Sequence, residues 1–224
     1  MSYIYLDRDV TYLLGLLVAR GQLYRKLGVS RLSIELPSRV LYPRKARAQY
    51  EADIRRAVSA ARERVGELLE PDVRVRKYMG GFRFSVAYRG YPLSLRALTL
   101  LLGMKDSTQP SIPRQIFGAE ATIRREFIRG FADASCNPFL AKQNDNGRYT
   151  VNLQVQWKNK NLTAQLIELL KGLGTQVNRT TAGTGSHPGE GRERQIPVPV
   201  EAFRPLGFFF PYKQRQLDQL VASQ

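Results

Sequence analysis

Apolar residues run almost unbroken from Tyr12 to Ala19 in YLLGLLVA, with a glycine standing in the middle. A helix that is apolar on every side is a buried helix. Glycine inside a helix costs about 1 kcal/mol relative to alanine, so Gly15 needs a packing reason. The same shape returns in FIRGFADAS, where Gly130 takes the place of Gly15 and Ala134 that of Ala19. Small residues four apart share one helix face and let two backbones come close together. Gly15 with Ala19, and Gly130 with Ala134, are therefore expected to form the contact between twin helices.

Downstream of each motif the pattern changes period in the same order. GQLYRK and RLSIELP alternate around a short turn and predict a hairpin. An amphipathic stretch from Arg44 to Leu69 predicts a long helix. Alternation resumes on either side of Gly80-Gly81 in DVRVRKYMGGFRFSVAYRG, and LSLRALTLLLG closes the first unit as a short helix. In the second half, PFLAKQN, the turn NDNG and RYTVNLQVQW predict a hairpin. NKNLTAQLIELLKGLG predicts a helix terminated near Gly172 and Gly174. TQVNRTT and ERQIPVPV, flanking a glycine-rich loop, predict a second hairpin, and EAFRPLGFF and KQRQLDQLVAS predict two short terminal helices. The fold class is thus α+β, built as two pseudo-symmetric α-β-β-α-β-β-α repeats, residues 1–108 and 109–224, joined near the polar, proline-bearing MKDSTQPSIPRQ.

Charge narrows the choice of partner. The chain carries 35 basic against 19 acidic residues, a formal charge of +16, and 26 of the basic residues are arginines. Guanidinium forks grip phosphate oxygens in pairs, so the composition points to a polyanion. Cys136 is the lone cysteine, which excludes an intrachain disulfide and a cysteine metal cluster. The longest apolar run is too short to cross a bilayer, and MSYIYLDRDV lacks a basic-then-apolar leader. An intracellular protein is expected, cytoplasmic, organellar or nucleoid-associated, with no membrane partner. His187 is the lone histidine, in GTGSHPGEG, which leaves histidine triads and histidine metal sites without support. That loop does not follow a strand and open a helix, so it is no dinucleotide fingerprint.

Strand alternation places a polar set on one face of each hairpin. In the first half these are Gln22, Tyr24 and Lys26, then Arg31, Ser33 and the single acid Glu35. The next hairpin adds Arg74 and Arg76, with Arg83, Ser85 and Arg89. In the second half Lys142 and Asn144 face with Asn152, Gln154, Gln156 and Lys158, while Gln176, Asn178, Arg192 and Arg194 complete the set. A two-stranded ribbon fits the DNA major groove, where arginine pairs with guanine and asparagine or glutamine with adenine. Eight strand residues span about 26 Å, roughly eight base pairs, so two such faces would cover about 15 to 20 base pairs.

Leu13 to Gly21 and Ile128 to Cys136, with SIPRQIFGAEATIRREFIRGFADAS and KNKNLTAQLIELLKGLG around the second, resemble the LAGLIDADG homing endonucleases in their single-chain, two-repeat form. The resemblance covers nearly the whole chain and is strongest from Ser111 to Gly174. It implies motif helices paired at a pseudo-two-fold axis and two four-stranded sheets forming a saddle on double-stranded DNA. It also implies an acid at the eighth position of each motif, the two together holding divalent metal ions for phosphodiester cleavage. Here those positions are Arg20 and Ser135, a permanent cation and a neutral hydroxyl, neither of them a ligand suited to magnesium. Asp133 lies two residues before Ser135, about 200° around the helix, and is expected to be structural rather than a metal ligand. The expectation is a monomeric DNA-binding protein with internal two-fold pseudo-symmetry, no cofactor and no intact catalytic site. Arg20 is expected to stand in as a counter-charge to phosphate. The alternatives are an active magnesium-dependent endonuclease with relocated ligands, Asp133 among them, or a maturase acting on intron RNA.

Overall fold

The computed structural model describes residues 6–41, 47–69, 72–78, 81–103, 110–143, 147–156, 160–178, 181–182 and 193–224. Helix α1 (Arg8–Arg20) starts where the Asp7 carboxylate accepts from the backbone N–H groups of Asp9 and Val10 at 2.9 and 2.8 Å. Such an N-cap satisfies donors that the first turn leaves unpaired. From Thr11 to Ala19 every residue of α1 is buried. The helix passes without a loop into β1 (Gly21–Lys26). Gly21 makes that junction possible, because a Cβ there would stand 2.5 Å from Leu17 O. Leu27 and Gly28, both with positive φ, turn the chain into β2 (Val29–Pro37), the turn geometry that matches the right-handed twist of a hairpin.

The first half continues with α2 (Ser38–Leu41), α3 (Arg47–Gly66), β3 (Arg74–Tyr78), β4 (Gly81–Arg89) and α4 (Leu93–Leu101). The second contains α5 (Arg114–Phe117), α6 (Ala121–Ser135), β5 (Lys142–Gln143), β6 (Tyr149–Gln156) and α7 (Lys160–Gly172). It ends with β7 (Thr181–Ala182), β8 (Glu193–Pro199), α8 (Val200–Phe203) and α9 (Pro211–Ala222). The strand orders are β1-β2-β4-β3 and β5-β6-β8-β7, all pairs antiparallel. One topology occurs twice, as the element order of the sequence requires.

Several boundaries differ from expectation, each for a local reason. The long helix, Arg47–Gly66, stops short of the expected end at 69, residues 44–46 lie outside the described residues, and the short helices α2 and α5 have no sequence-level counterpart in the expected order. PFLAKQN is not a strand throughout: Asn137 accepts from Phe139 N at 3.0 Å and caps a 3₁₀ turn, Pro138–Leu140. Only Lys142–Gln143 remains for β5. In TQVNRTT, residues 175–178 are irregular and Thr181 lies in β7, while 179 and 180 lie outside the described residues. Asn178 N donates to Pro197 O at 3.0 Å, and on that same edge Pro197 has no N–H to return, so the ladder cannot close there.

One apolar core runs through both halves. Leu32, Ile34 and Leu36 of β2 and Phe82, Phe84 and Val86 of β4 supply one side, and Val151, Leu153 and Val155 of β6 with Ile196 and Val198 of β8 the other. At its centre α1 and α6 touch backbone to backbone. A Cβ on Gly15 would lie 2.2 Å from Phe127 O and 2.7 Å from Phe131 N, and one on Gly130 would lie 2.1 Å from Tyr12 O and 3.2 Å from Leu16 N. Each glycine thus meets the carbonyl three residues before, and the amide one residue after, its counterpart. Reciprocity of this kind is the mark of a two-fold contact.

Candidate nucleic-acid interface

The close packing of α1 on α6 brings their C-terminal ends together, and Arg20 crosses between the halves. Its Nε donates to Ala134 O at 3.4 Å and its Nη2 to Gln154 Oε1 at 3.5 Å. A helix leaves its last carbonyls unpaired, with partial negative charge, and a cation satisfies both demands. Ala134 is the neighbour of Ser135, so the two motif positions meet with a guanidinium at their junction. Ser135 itself is fully buried, and among the described residues its Oγ has no hydrogen-bond partner. Tyr78 and Glu35 lie on the first sheet's side of this centre. Burial and the Glu35 carboxylate raise the Tyr78 phenol above its ordinary pKa, while Arg83 and Arg20 act against them. Glu35 is ion-paired with Arg83.

Asp133 takes no part in this surface. It is fully buried, and its oxygens accept from Tyr12 Oη at 2.9 Å, Phe209 N at 3.1 Å and Phe210 N at 3.4 Å. Burial pushes its carboxyl up to about 6, against the pull of Lys213 and these donors. Lys213, also fully buried, donates to the backbone carbonyls of Asp133 and Cys136, each at 2.7 Å. Burial lowers its pKa to about 8, opposed by Asp133. Tyr12 from the first repeat and Lys213 from α9 thus lock the end of α6 in place. Burial also pushes the Cys136 thiol up to about 12, which leaves it protonated and inert. On the far side of Tyr12, Arg64 of α3 lies 4.2 Å above the ring and pairs with Asp9 of α1 and Glu126 of α6. Sequence patterning missed Lys213 and Tyr12 as polar partners, because a lysine in KQRQLDQL carries no sign of burial.

The exposed sheet faces assemble much of the expected reading set. Register places Gln22 beside Ser33, Ser33 beside Ser85, and Ser85 beside Arg74. The flanking rows are Tyr24, Arg31 and Ala87 on one side and Glu35, Arg83 and Arg76 on the other, with Lys26, Val29 and Arg89 at the hairpin end. All of these are exposed or half-buried, whereas Leu32, Ile34, Phe84 and Val86 of the opposite phase are buried. Tyr78 joins this face through its pairing with Gly81, a residue the sequence reading left out.

In the second sheet, Lys142 pairs with Thr150, Asn152 with Pro197 and Gln154 with Gln195. Arg194 is a correction. It pairs with Val155, on the phase that carries Leu153 and Ile196 into the core. Gln195 holds the outward position instead, as the alternation of Ile196, Val198 and Val200 in the sequence already required. Gln176 is exposed and Asn178 half-buried, both outside any strand. Asn144, Lys158, His187 and Arg192, and the side chain of Gln156, lie outside the described residues.

Magnesium needs several hard oxygen ligands in near-octahedral array. The junction offers a guanidinium, a buried hydroxyl, and one carboxylate already paired with an arginine. Among the described residues no three histidine, cysteine or acidic side chains converge. These donors do not make a magnesium site.

No family model matches the chain, and no curated protein does. Solved structures do match. The homing endonuclease I-WcaI, bound to its DNA recognition sequence, is 12% identical, with 95% of this chain and 88% of that chain covered at a TM-score of 0.53. A variant of I-DmoI in complex with its target DNA and manganese is 16% identical, with 93% and 97% covered at a TM-score of 0.52. A second I-DmoI variant, with its target DNA and magnesium, is 17% identical, with 89% and 94% covered at 0.51. The chain therefore has the two-repeat fold of the LAGLIDADG homing endonucleases. Among the described residues no helix is long and apolar enough to cross a membrane.

Proposed function

We propose that this protein is a monomer that binds a long DNA duplex through the exposed faces of both sheets and leaves it uncut. The observation that carries this reading is the Arg20 bridge, a guanidinium held against Ala134 O and Gln154 where the two motif helices end. Two like unit charges 4 Å apart repel by about 4 kcal/mol near a protein surface, and a divalent ion beside Arg20 would meet roughly twice that. The same guanidinium attracts a phosphate, forming short, charge-assisted hydrogen bonds with its oxygens. Arg20 supplies at this centre the positive charge that metal ions would bring elsewhere, and it activates no water.

The similar structures are complexes with target DNA, and the outward rows of the first sheet hold six cations against Glu35 alone, which supports the same class of partner for this chain. Titration of a duplex at several salt concentrations tests the reading. If about eight phosphates are neutralised, log affinity falls with log salt at a slope near −7. Arg20→Ala should weaken binding for all sequences alike and reduce that slope by about one. A slope near zero for the unmodified protein, or an Arg20→Ala variant with an unchanged slope, contradicts it.

A further inference from the structure

The two sheet faces differ in kind. Four strands at about 4.8 Å spacing span some 14 Å, while the major groove is about 12 Å wide. The middle pair of strands therefore faces the base edges, and the outer strands meet the phosphate walls. In the first sheet the middle strands β2 and β4 present Arg31, Arg83 and Arg89 outward. In the second sheet the middle strands β6 and β8 present Asn152, Gln154 and Gln195, and no cation. Among the described residues the exposed cations beside the second sheet are Lys142, on the edge strand β5, and Arg148, just ahead of β6.

Guanidinium groups bond in pairs to guanine O6 and N7, and carboxamides to adenine N6 and N7. We infer that the protein reads an asymmetric duplex, with guanines under the first repeat's Arg31 and Arg89 and adenines under the second repeat's amides. This rests on the duplex-binding reading above. Arg83 is partly committed to Glu35, which leaves Arg31 and Arg89 as the guanine contacts. Gln154 accepts from Arg20 through Oε1, and a carboxamide oxygen has a second lone pair for an adenine amino group. Its neighbour Gln195, directly across the ladder, doubles the amide surface at one level of the groove. Arg74 and Arg76, on the edge strand β3, serve the phosphates.

Selection of duplexes by the full chain from a randomised pool tests the inference. The recovered sites should be non-palindromic, enriched in guanine over one half and in adenine over the other. Arg31→Ala should relax preference in the guanine half alone, by about fivefold to a hundredfold against the wrong base. Gln195→Ala should relax the adenine half alone and leave the salt slope unchanged. Arg74→Ala should lower the slope by about one with base preference intact. Recovered halves of equal composition, or a variant that relaxes the opposite half, overturn the inference and leave duplex binding standing. Recovery of no duplex at all overturns both.

Discussion

Alanine at Gly130 or Gly15 should destabilise the protein by about 3 kcal/mol or more, although the same change inside an ordinary helix stabilises it by about 1 kcal/mol. The sign reverses because the new Cβ would lie 2.1 or 2.2 Å from a backbone carbonyl of the facing helix. Neither backbone can yield locally, since α1 and α6 are buried along this contact. Gly66, at the end of α3, is the control: a Cβ there meets only Val73 Cγ2, at 4.0 Å. Gly66→Ala should be neutral or mildly stabilising in the same denaturant titration. The double variant Gly15→Ala/Gly130→Ala should cost less than the sum of its parts, because helices separated by one methyl group make room for the other. Alanine at Gly130 that behaves like alanine at Gly66 would contradict the helix contact on which every other feature depends.

Lys213→Met should be nearly as damaging, at about 3–5 kcal/mol, because it strands a buried carboxylate beside two unpaired carbonyls. The partners lost are Asp133 O and Cys136 O, together with the positive charge that favours ionised Asp133. Adding Asp133→Asn to Lys213→Met should recover part of the loss, since the uncompensated charge goes with it. The two buried groups also set a pH dependence. Asp133 titrates near 6 in the fold against 3.8 ordinarily, so the folded state binds its proton more tightly. Its contribution therefore falls as pH rises from about 4 to about 6. Lys213 titrates near 8 against 10.5, so its contribution falls as pH drops from above 10 toward 8. The difference in unfolding free energy between Asp133→Asn and the unmodified protein should therefore change across pH 4 to 6 and level off above it. A flat difference would mean that Asp133 is neither buried nor ionised as described.

Much of this is legible in the sequence. The glycine in YLLGLLVA and its return in FIRGFADAS predicted a helix pair, because a mid-helix glycine has few other physical reasons to exist. Alternation fixed the outward phase of β1, β2, β4 and β6, since a one-residue slip would have exposed Leu32, Phe84 or Leu153. The same alternation puts Arg194 of β8 on the core phase with Ile196 and Val198, a phase that its charge alone does not reveal. The start of β5 and the irregular backbone at 175–178 were beyond periodicity. A capping asparagine at position 137 and a proline without a donor on the facing strand decide where those ladders stop, and both act through partners distant from the strand itself. Lys213 was beyond reach for a related reason, because its burial is set by the end of α6, some eighty residues away in sequence.

Arg20 and Ser135, where the resemblance leads one to expect acids, were also plain from sequence, but their surroundings were not. The two side chains alone leave open a metal site built on Asp133. The fold places that carboxylate behind Tyr12, Phe209 and Phe210, out of contact with the surface where the strands present their side chains. What occupies the junction is a cation tied to the partner helix.

Binding and integrity of one selected duplex, measured side by side in EDTA and in magnesium or manganese, test the central claim most directly. The dissociation constant should be the same in all three at constant ionic strength, and the duplex should remain whole in each. Breaks that form only when metal is present, or binding that vanishes on chelation, would show that the junction held by Arg20 is a working metal centre.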